Sequence, residues 1–93
     1  MRTVKYTKKF RKDYKREKSG RHAVALDNRL EDIVELLAND EPLPKRNVDH
    51  PLTGNWKDHR DCHVWPDLVL IYRKPDDDNL ELVRIGSHSE LGI

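Results

Sequence analysis

The stretch "DHRDCHVWPDLVLIY", residues 58–72, predicts two antiparallel β-strands joined by a tight turn. Residues 58–64 alternate between polar and apolar side chains, and residues 68–72 form a short continuous apolar run; both patterns are typical of strands. Between them, Pro66 suits a turn because its ring fixes φ at about −65°. The segment "LELVRI" at residues 80–85 follows the turn signal "KPDDDN" and predicts a third strand.

The two faces of this sheet depend on how the strands are aligned. If residues 66–67 form a two-residue loop, Val64 lies opposite Val69 on the next strand. The side chains that then share an apolar, helix-facing side are Cys62, Val64, Val69, Ile71, Val83 and Ile85. The side chains on the opposite, uncovered face are Asp61, His63, Leu70, Tyr72, Leu82 and Arg84. A shift of one residue would exchange the two faces.

The chain before these strands predicts a first strand and two helices. "RTVKY" at residues 2–6 is strand-like, and Thr7 can cap a helix over residues 8–18. Apolar residues recur every three or four positions over residues 21–38, which predicts an amphipathic second helix. Prolines in the "PLP" segment, residues 42–44, end helical structure. The order β-α-α-β-β-β indicates an α+β fold, an antiparallel sheet packed on one face by a two-helix hairpin.

Length and composition favour a single small domain over residues 1–93, since a chain of 93 residues can form one core. No apolar run approaches the ~20 residues that span a bilayer, and no signal segment opens the chain, so we expect no membrane partner. The one cysteine, Cys62, excludes an internal disulfide and a four-cysteine zinc site. The cytoplasm is the expected compartment.

The charge of the chain is divided unevenly along its length. Residues 1–22 hold ten Lys or Arg and two acidic side chains, a net +8, which leaves −7 for residues 23–93. A basic segment of this kind favours a polyanionic partner such as RNA, although a well-solvated helix face would look the same. The candidate RNA- and ribosome-binding residues are Lys8, Lys9, Arg11, Lys12, Lys15, Arg16 and Lys18.

Imidazoles and carboxylates are the groups that could carry chemistry here. Histidine titrates near neutral pH and can both accept and donate a proton, whereas Asp67 is also a common turn residue. On a strand His59 and His63 would stand ~13 Å apart, so we expect no metal site. Ser87 and Ser89 lack a nucleophile-elbow pattern. Cleavage of RNA by its own 2′-hydroxyl remains, because it needs only a base, an acid and a cation.

The segments "DHPLTGNWKDHRDCHVWPDLVLIY" (49–72) and "RIGSHSEL" (84–91) together resemble the YafQ-type branch of the RelE/ParE toxin superfamily. The similarity includes the start "YTKKFRKDYKR" and the "PLP" connector. It implies a RelE-like fold and a ribosome-dependent endoribonuclease, the toxin of a type II toxin–antitoxin pair. Such toxins cut messenger RNA in the ribosomal A site without a cofactor. Their partners are the ribosome, messenger RNA and a cognate antitoxin, in a complex expected to be a heterotetramer that contacts operator DNA only through the antitoxin.

Carried over by position, the resemblance implies a set of active-site residues. Its histidines fall on His50, His63 and His88 and its acidic residue on Asp67, with Asp61 and Arg84 as supporting groups. As a hypothesis, His50 or His88 is the base and His63 its acid partner or a phosphate ligand. Arg84 would bind the phosphorane oxygens, and the two aspartates would orient the imidazoles.

One departure from the resemblance concerns the carboxyl end. Many relatives place an aromatic residue shortly after the last histidine, where it can stack on a base; here Gly92 stands in that place. Trp65 is a possible substitute, and Tyr72 is another candidate for stacking. Two other functions stay open: a non-catalytic ribosome- or RNA-binding relative, and a ParE-like gyrase inhibitor that acts by protein contact. The paired imidazoles disfavour both.

Overall fold

Five strands and three α-helices form the fold, which a computed structural model describes over residues 1–93. The elements in chain order are β1 (Thr3–Tyr6), α1 (Lys8–Glu17), α2 (Leu26–Ala38), β2 (His50–Pro51), β3 (Arg60–Trp65), β4 (Leu68–Arg73), β5 (Asn79–Gly86) and α3 (His88–Leu91). The strands lie in the order β1-β5-β4-β3-β2. The α+β class is confirmed, while β2 and α3 were not predicted. None of the helices combines the length and apolar character that crossing a membrane requires.

The main core lies between α1, α2 and one face of the sheet. Thr7 caps α1 as predicted, since its side chain accepts a hydrogen bond from the Phe10 N–H at 3.0 Å. The second helix begins at Leu26 rather than near residue 21, because residues 21–25 form turns. The buried core side chains from the helices are Phe10, Leu26, Leu30, Ile33, Leu37 and Ala38.

The alignment of β3 and β4 differs from the prediction by one residue. The two-residue loop is present, because Trp65 pairs with Leu68. Val64, however, forms a β-bulge and has no partner, so His63 rather than Val64 lies opposite Val69. A bulge adds one residue to one strand only, which is why the turn was predicted correctly and the pairing beyond it was not.

The bulge exchanges the faces of β4, as a one-residue shift must. The side chains predicted to be uncovered that instead pack under the helices are Leu70, Tyr72 and Leu82. Those predicted to pack on the helices that instead lie on the other face are Val69, Ile71 and Val83. Leu82 and Val83 on β5 exchange faces because a second register shift separates the Ile71–Arg84 pair from the Tyr72–Leu82 pair. The placements of Asp61, His63, Cys62, Val64 and Ile85 are as predicted.

The face of the sheet away from α1 and α2 is partly covered rather than open. Val69, Ile71 and Leu91 form a small buried cluster there. Partly buried side chains from the loop after β2, from β5 and from the chain end pack against it, namely Leu52, Trp56, Val83 and Ile93. Because Leu91 of α3 packs in this second cluster, α3 lies beside the polar residues of β3.

The sheet is mixed rather than wholly antiparallel as predicted, because β1 runs parallel to β5. β1 ends at Tyr6, and α1 then covers the rest of the β5 edge with its side chains. Thr7 Oγ1 donates to the Val83 carbonyl at 2.7 Å and Arg16 Nη2 to the Ile85 carbonyl at 3.0 Å. Asp13 accepts from the Ile85 N–H at 3.2 Å. These bonds replace those of a neighbouring strand and fix α1 to β5.

Candidate active site

A buried carboxylate on β3 lies among three of the histidines that the sequence singled out. Asp61 is only 2% exposed and pairs across the sheet with His50 of β2. His63 follows two residues later on the same face of β3. The His88 ring, at the start of α3, packs edge-on against the His63 ring with centroids 5.1 Å apart. The fold therefore brings together four of the predicted site residues.

The imidazole of His50 has a defined orientation. Its Nδ1 lies 2.9 Å from the Val48 carbonyl oxygen, which can only accept, so we assign the proton of a neutral ring to Nδ1. Nε2 is then free to act as a base, and half of the side chain is exposed. Val48 has φ +46°, a left-handed conformation that is rare for a β-branched residue. The strained turn at Val48 aims this carbonyl at the imidazole.

Asp61 is a carboxylate without a hydrogen bond. Its buried Oδ1 lies 3.0 Å from His50 Nδ1 but accepts no hydrogen bond from any group. Burial raises the pKa of Asp61, and the charges that His50, His63 and His88 carry when protonated only partly oppose this rise. The pKa of Asp61 is therefore raised although three imidazoles surround the carboxyl group.

His88 is held at the first position of a short, well-capped helix. The Ser87 side chain accepts from the Glu90 N–H at 3.1 Å, and Glu90 Oε1 accepts from the Ser87 N–H at 2.8 Å. Gly92 ends this helix at φ +71°, a conformation that favours glycine. Gly92, which stands where many relatives have an aromatic residue, thus forms the turn that ends α3.

Arg84 is bound to a residue that the sequence did not indicate. Its Nε and Nη2 donate to the two carboxylate oxygens of Asp13 at 2.6 and 3.0 Å. Burial would raise the pKa of Asp13, but the hydrogen bonds from Arg84 and Ile85 outweigh it and the pKa is lowered. Glu81, on the same strand as Arg84, pairs instead with Arg73 at 2.7 Å.

Asp67 lies in the β3–β4 turn and belongs to a separate cluster. Its carboxylate contacts His22 Nε2 at 2.9 Å and Arg21 Nη2 at 2.8 Å. The hydrogen bond from His22 is the main cause that lowers the pKa of Asp67. The hydrogen-bond and ion-pair partners of Asp67 thus come from the α1–α2 connection rather than from the other predicted histidines.

Neither candidate for stacking presents a free ring. His22 stacks on Trp65 with ring centroids 4.0 Å apart, and the Arg29 guanidinium lies 4.9 Å from the indole centroid. Tyr72 is 2% exposed, so its predicted stacking on a base is wrong. Its hydroxyl donates to Asp49 at 2.6 Å, and burial followed by this bond raises the pKa of Tyr72. The displaced register explains why Tyr72 lies in the core.

The basic residues of α1 and the Lys18 that caps its end fall into two groups. Lys8, Lys9, Lys12 and Lys15 are exposed, and their ammonium groups make no hydrogen bond or ion pair within the chain. The members that contact other groups of the chain are Arg11 on the Tyr6 ring, Lys18 on Asp27, and Arg16 on Asp13, Glu17, Glu90 and Ile85. Only the four lysines form an unpaired basic surface.

Three residues of the site region were missed by the sequence interpretation. His22 contacts Asp67 across 45 positions, Asp13 contacts Arg84 across 71, and Asp49 contacts Tyr72 across 23. Periodicity reports which face of an element a residue occupies, not its partner on a distant element. No signal in one sequence could have identified these contacts. No group of three or more His, Cys, Asp or Glu side chains is arranged to hold a metal ion.

Known proteins resemble this chain over nearly its whole length. Residues 2–92 match the family described as bacterial toxin of type II toxin–antitoxin system, YafQ. The mRNA interferase toxin YafQ of Escherichia coli K12 is 42% identical over 91 residues, covering 97% of this chain and 95% of that protein. A copper-bound mutant toxin from Helicobacter pylori has a TM-score of 0.87 at 38% identity, covering 98% and 99% of the two chains.

A structure of the E. coli DinJ–YafQ toxin–antitoxin complex contains a similar chain, with a TM-score of 0.80 at 41% identity, covering 97% of this chain and 96% of that one. These likenesses confirm the predicted RelE-like α+β fold. The names of the relatives confirm the predicted enzyme class, an endoribonuclease of the mRNA interferase type. The chain belongs to the YafQ family of toxins of bacterial type II toxin–antitoxin systems.

Proposed function

We propose that this chain cleaves messenger RNA in the ribosomal A site by attack of the RNA 2′-hydroxyl, with side chains as the only acid–base groups. The observation that carries the proposal is the buried Asp61 among His50, His63 and His88, with the last two rings in contact. Imidazoles that can exchange protons close to one another are what this reaction requires. Neither passive binding of a ribosome nor contact inhibition of gyrase needs such a cluster.

The orientation of His50 favours it as the base. Nε2 of His50 takes the proton of the 2′-hydroxyl, whose oxygen then attacks phosphorus. Protonated His88 gives its proton to the departing 5′-oxygen, which leaves as a 5′-hydroxyl, and the other product is a 2′,3′-cyclic phosphate. His63, in contact with His88, holds a phosphoryl oxygen or assists as the acid. Asp61 lies against the His50 ring and helps to orient it.

Arg84 and Asp67 have supporting places in this proposal. Two nitrogens of Arg84 are bound to Asp13, so only Nη1 is available for a phosphorane oxygen. Asp67 acts from the β3–β4 turn, where Arg21 and His22 keep its carboxylate ionised.

The partners that fit this activity are the ribosome, messenger RNA and a cognate antitoxin. The unpaired lysines of α1 would contact ribosomal RNA. The solved complex of the E. coli relative with DinJ supports an antitoxin partner, and we propose a heterotetramer that reaches operator DNA through the antitoxin alone. This activity belongs to the cytoplasm, where translation takes place.

Programmed ribosomes provide the direct test. Purified protein is mixed with them and the messenger ends are mapped by primer extension, with the same RNA free of ribosomes as a comparison. We expect cuts only on the ribosome, and His63→Ala and His88→Ala should each slow cleavage by ~10²–10⁴-fold. His59→Gln is the control, because this ring contacts only Trp56 and the Lys57 carbonyl.

Two outcomes would replace the proposal. An intact messenger on ribosomes that still bind the protein would indicate a non-catalytic relative. Loss of DNA supercoiling by gyrase in the presence of the protein, with messenger intact, would indicate a ParE-like inhibitor. Cleavage unchanged in both histidine variants would contradict the assignment of the site.

A further inference from the structure

Arg16 lies in the last turn of α1, yet its guanidinium reaches back over the edge of the sheet. Nη1 donates to Asp13 at 3.0 Å, and Nη2 donates to the Ile85 carbonyl at 3.0 Å. Nε lies 3.0 Å from Glu17 Oε2 and 3.3 Å from Glu90 Oε2. All three nitrogens therefore have partners within the chain, in contrast to the neighbouring lysines.

Glu90 joins this guanidinium to α3 through its two carboxylate oxygens. Oε1 accepts from the Ser87 N–H at 2.8 Å and completes the capping box of α3. Oε2 faces Arg16. The hydrogen bond from Ser87 is the main cause that lowers the pKa of Glu90, and the charge of Arg16 adds to it. The single turn of α3 is thus attached to α1 as well as to β5.

Gly86 lies between these groups and leaves the space that they occupy. A β-carbon at this position would lie 2.9 Å from Arg16 Nη2, 3.2 Å from Glu90 Oε1 and 3.3 Å from Leu91 Cδ2. Because real β-carbons essentially never come within 3.0 Å of another atom, any side chain here would displace the Arg16 guanidinium. The close packing of Arg16 on α3 depends on this glycine.

We propose that Arg16 is a positioning residue for His88: it fixes α3 through Glu90 and so holds the His88 ring against His63. The inference rests on the proposed function, in which His88 is the acid. His88 and Glu90 share one four-residue helix, so a change in the tilt of that helix moves the imidazole. Arg16 then differs in role from Lys8, Lys9, Lys12 and Lys15, although the sequence places all five in one basic segment.

Spectra of the free protein test the positioning directly. In Arg16→Gln and in Glu90→Gln, we expect altered ring resonances of His88 and a weaker nuclear Overhauser contact between the His63 and His88 rings. Glutamine at position 90 keeps an oxygen for the Ser87 N–H, so the capping box is retained. Lys15→Gln, a neighbour without a partner in the chain, should leave both signals unchanged. Unchanged His88 signals in both variants, with the fold intact, would overturn the proposal.

Single-turnover cleavage at saturating ribosomes gives the second readout. Arg16→Gln and Glu90→Gln should each lower this rate about 10- to 100-fold, the effect of a displacement near 1 Å. The double variant should be no slower than the slower single one, since both remove the same contact. Lys15→Gln should instead raise the ribosome concentration needed for half saturation. Additive losses in the double variant would contradict the shared contact.

The two readouts separate this inference from the proposed function. If the wild type does not cleave at all, the proposed function fails, while the spectra still decide whether Arg16 positions His88. If the wild type cleaves and the spectra of both variants match it, only the positioning role is lost.

Discussion

Asp61 belongs to the candidate site, but its burial lowers the stability of the fold. The carboxylate is 2% exposed, one of its oxygens accepts no hydrogen bond, and its pKa is raised by burial. A group that binds protons more tightly in the folded state stabilises the fold below its unfolded pKa and loses that contribution as the pH rises through the folded value. At neutral pH the ionised Asp61 therefore destabilises the protein.

Asp61→Asn should remove this destabilisation and reduce cleavage at the same time. We expect the free energy of unfolding in urea at pH 7 to stay the same or increase, because the amide has no charge to bury. The advantage of the variant should shrink as the pH falls through the raised pKa of the folded Asp61, and it should be lost below the pKa of an unfolded aspartate, about 3.9. A loss above about 2 kcal/mol at pH 7 would mean that attraction by the three imidazoles outweighs the cost of burial.

The chemical residues themselves were largely readable from the sequence. Residue type, strand alternation and the family resemblance all pointed to His50, Asp61, His63 and His88, and the fold brings these four residues together. The predicted face of Tyr72 was wrong because "LVLIY" is a continuous apolar run, and such a run does not reveal which side chains face the core. The pairing of β4 with β3, rather than the residues next to Tyr72 in the sequence, places this side chain in the core.

At the scale of elements, α1 acts as a substitute for a missing strand beside β5. Asp13 is the centre of this contact, as it accepts from Arg84, Arg16 and the Ile85 N–H while only 3% exposed. Helices α1 and α2, strands β1, β3, β4 and β5 and the β3–β4 turn were predicted from periodicity and turn residues. The parallel β1–β5 pairing was not, because it joins the first and last strands of the chain, which no local pattern connects.

Asp13→Ala should destabilise the protein severely, since it leaves the partly buried Arg84 without a partner. We expect a loss of about 3–5 kcal/mol in the free energy of unfolding in urea. Because the pKa of Asp13 is lowered in the folded state, its contribution should also fade as the pH falls through that value.

Asp32→Ala is the matched control, an exposed helical aspartate without an ion pair, and should change stability by less than about 0.5 kcal/mol. A loss below about 1 kcal/mol for Asp13→Ala would show that water replaces the carboxylate readily.

At the scale of the whole molecule, four unpaired lysines lie together on α1, while the histidine cluster lies on the sheet face turned away from α1 and α2. The net charge of +1 hides this separation. The exposed lysines of α1 have no partners in the chain, so a polyanion would meet them first. Association and catalysis are therefore expected to respond to different substitutions.

Replacement of Lys8, Lys9, Lys12 and Lys15 by Gln should weaken ribosome binding and flatten its dependence on salt. Each lost phosphate contact should reduce the slope of log K against log salt concentration by about 0.7–0.9. The rate of cleavage at saturating ribosomes should be the same in this variant as in the wild type. Lys74→Gln is the control, because this ammonium pairs with Asp40 at 2.6 Å. An unchanged salt slope in the fourfold variant would assign the lysines to solvation alone.

The bulge at Val64 has a consequence for any attempt to transplant this site. With the same two-residue turn and no bulge, Asp61 and His63 would share a face with Leu70 and Tyr72, and one pair would be on the wrong side of the sheet. The extra residue sorts polar from apolar side chains within a single hairpin. A designer who copied the turn and the histidines into a regular hairpin would therefore bury the imidazoles or expose the core.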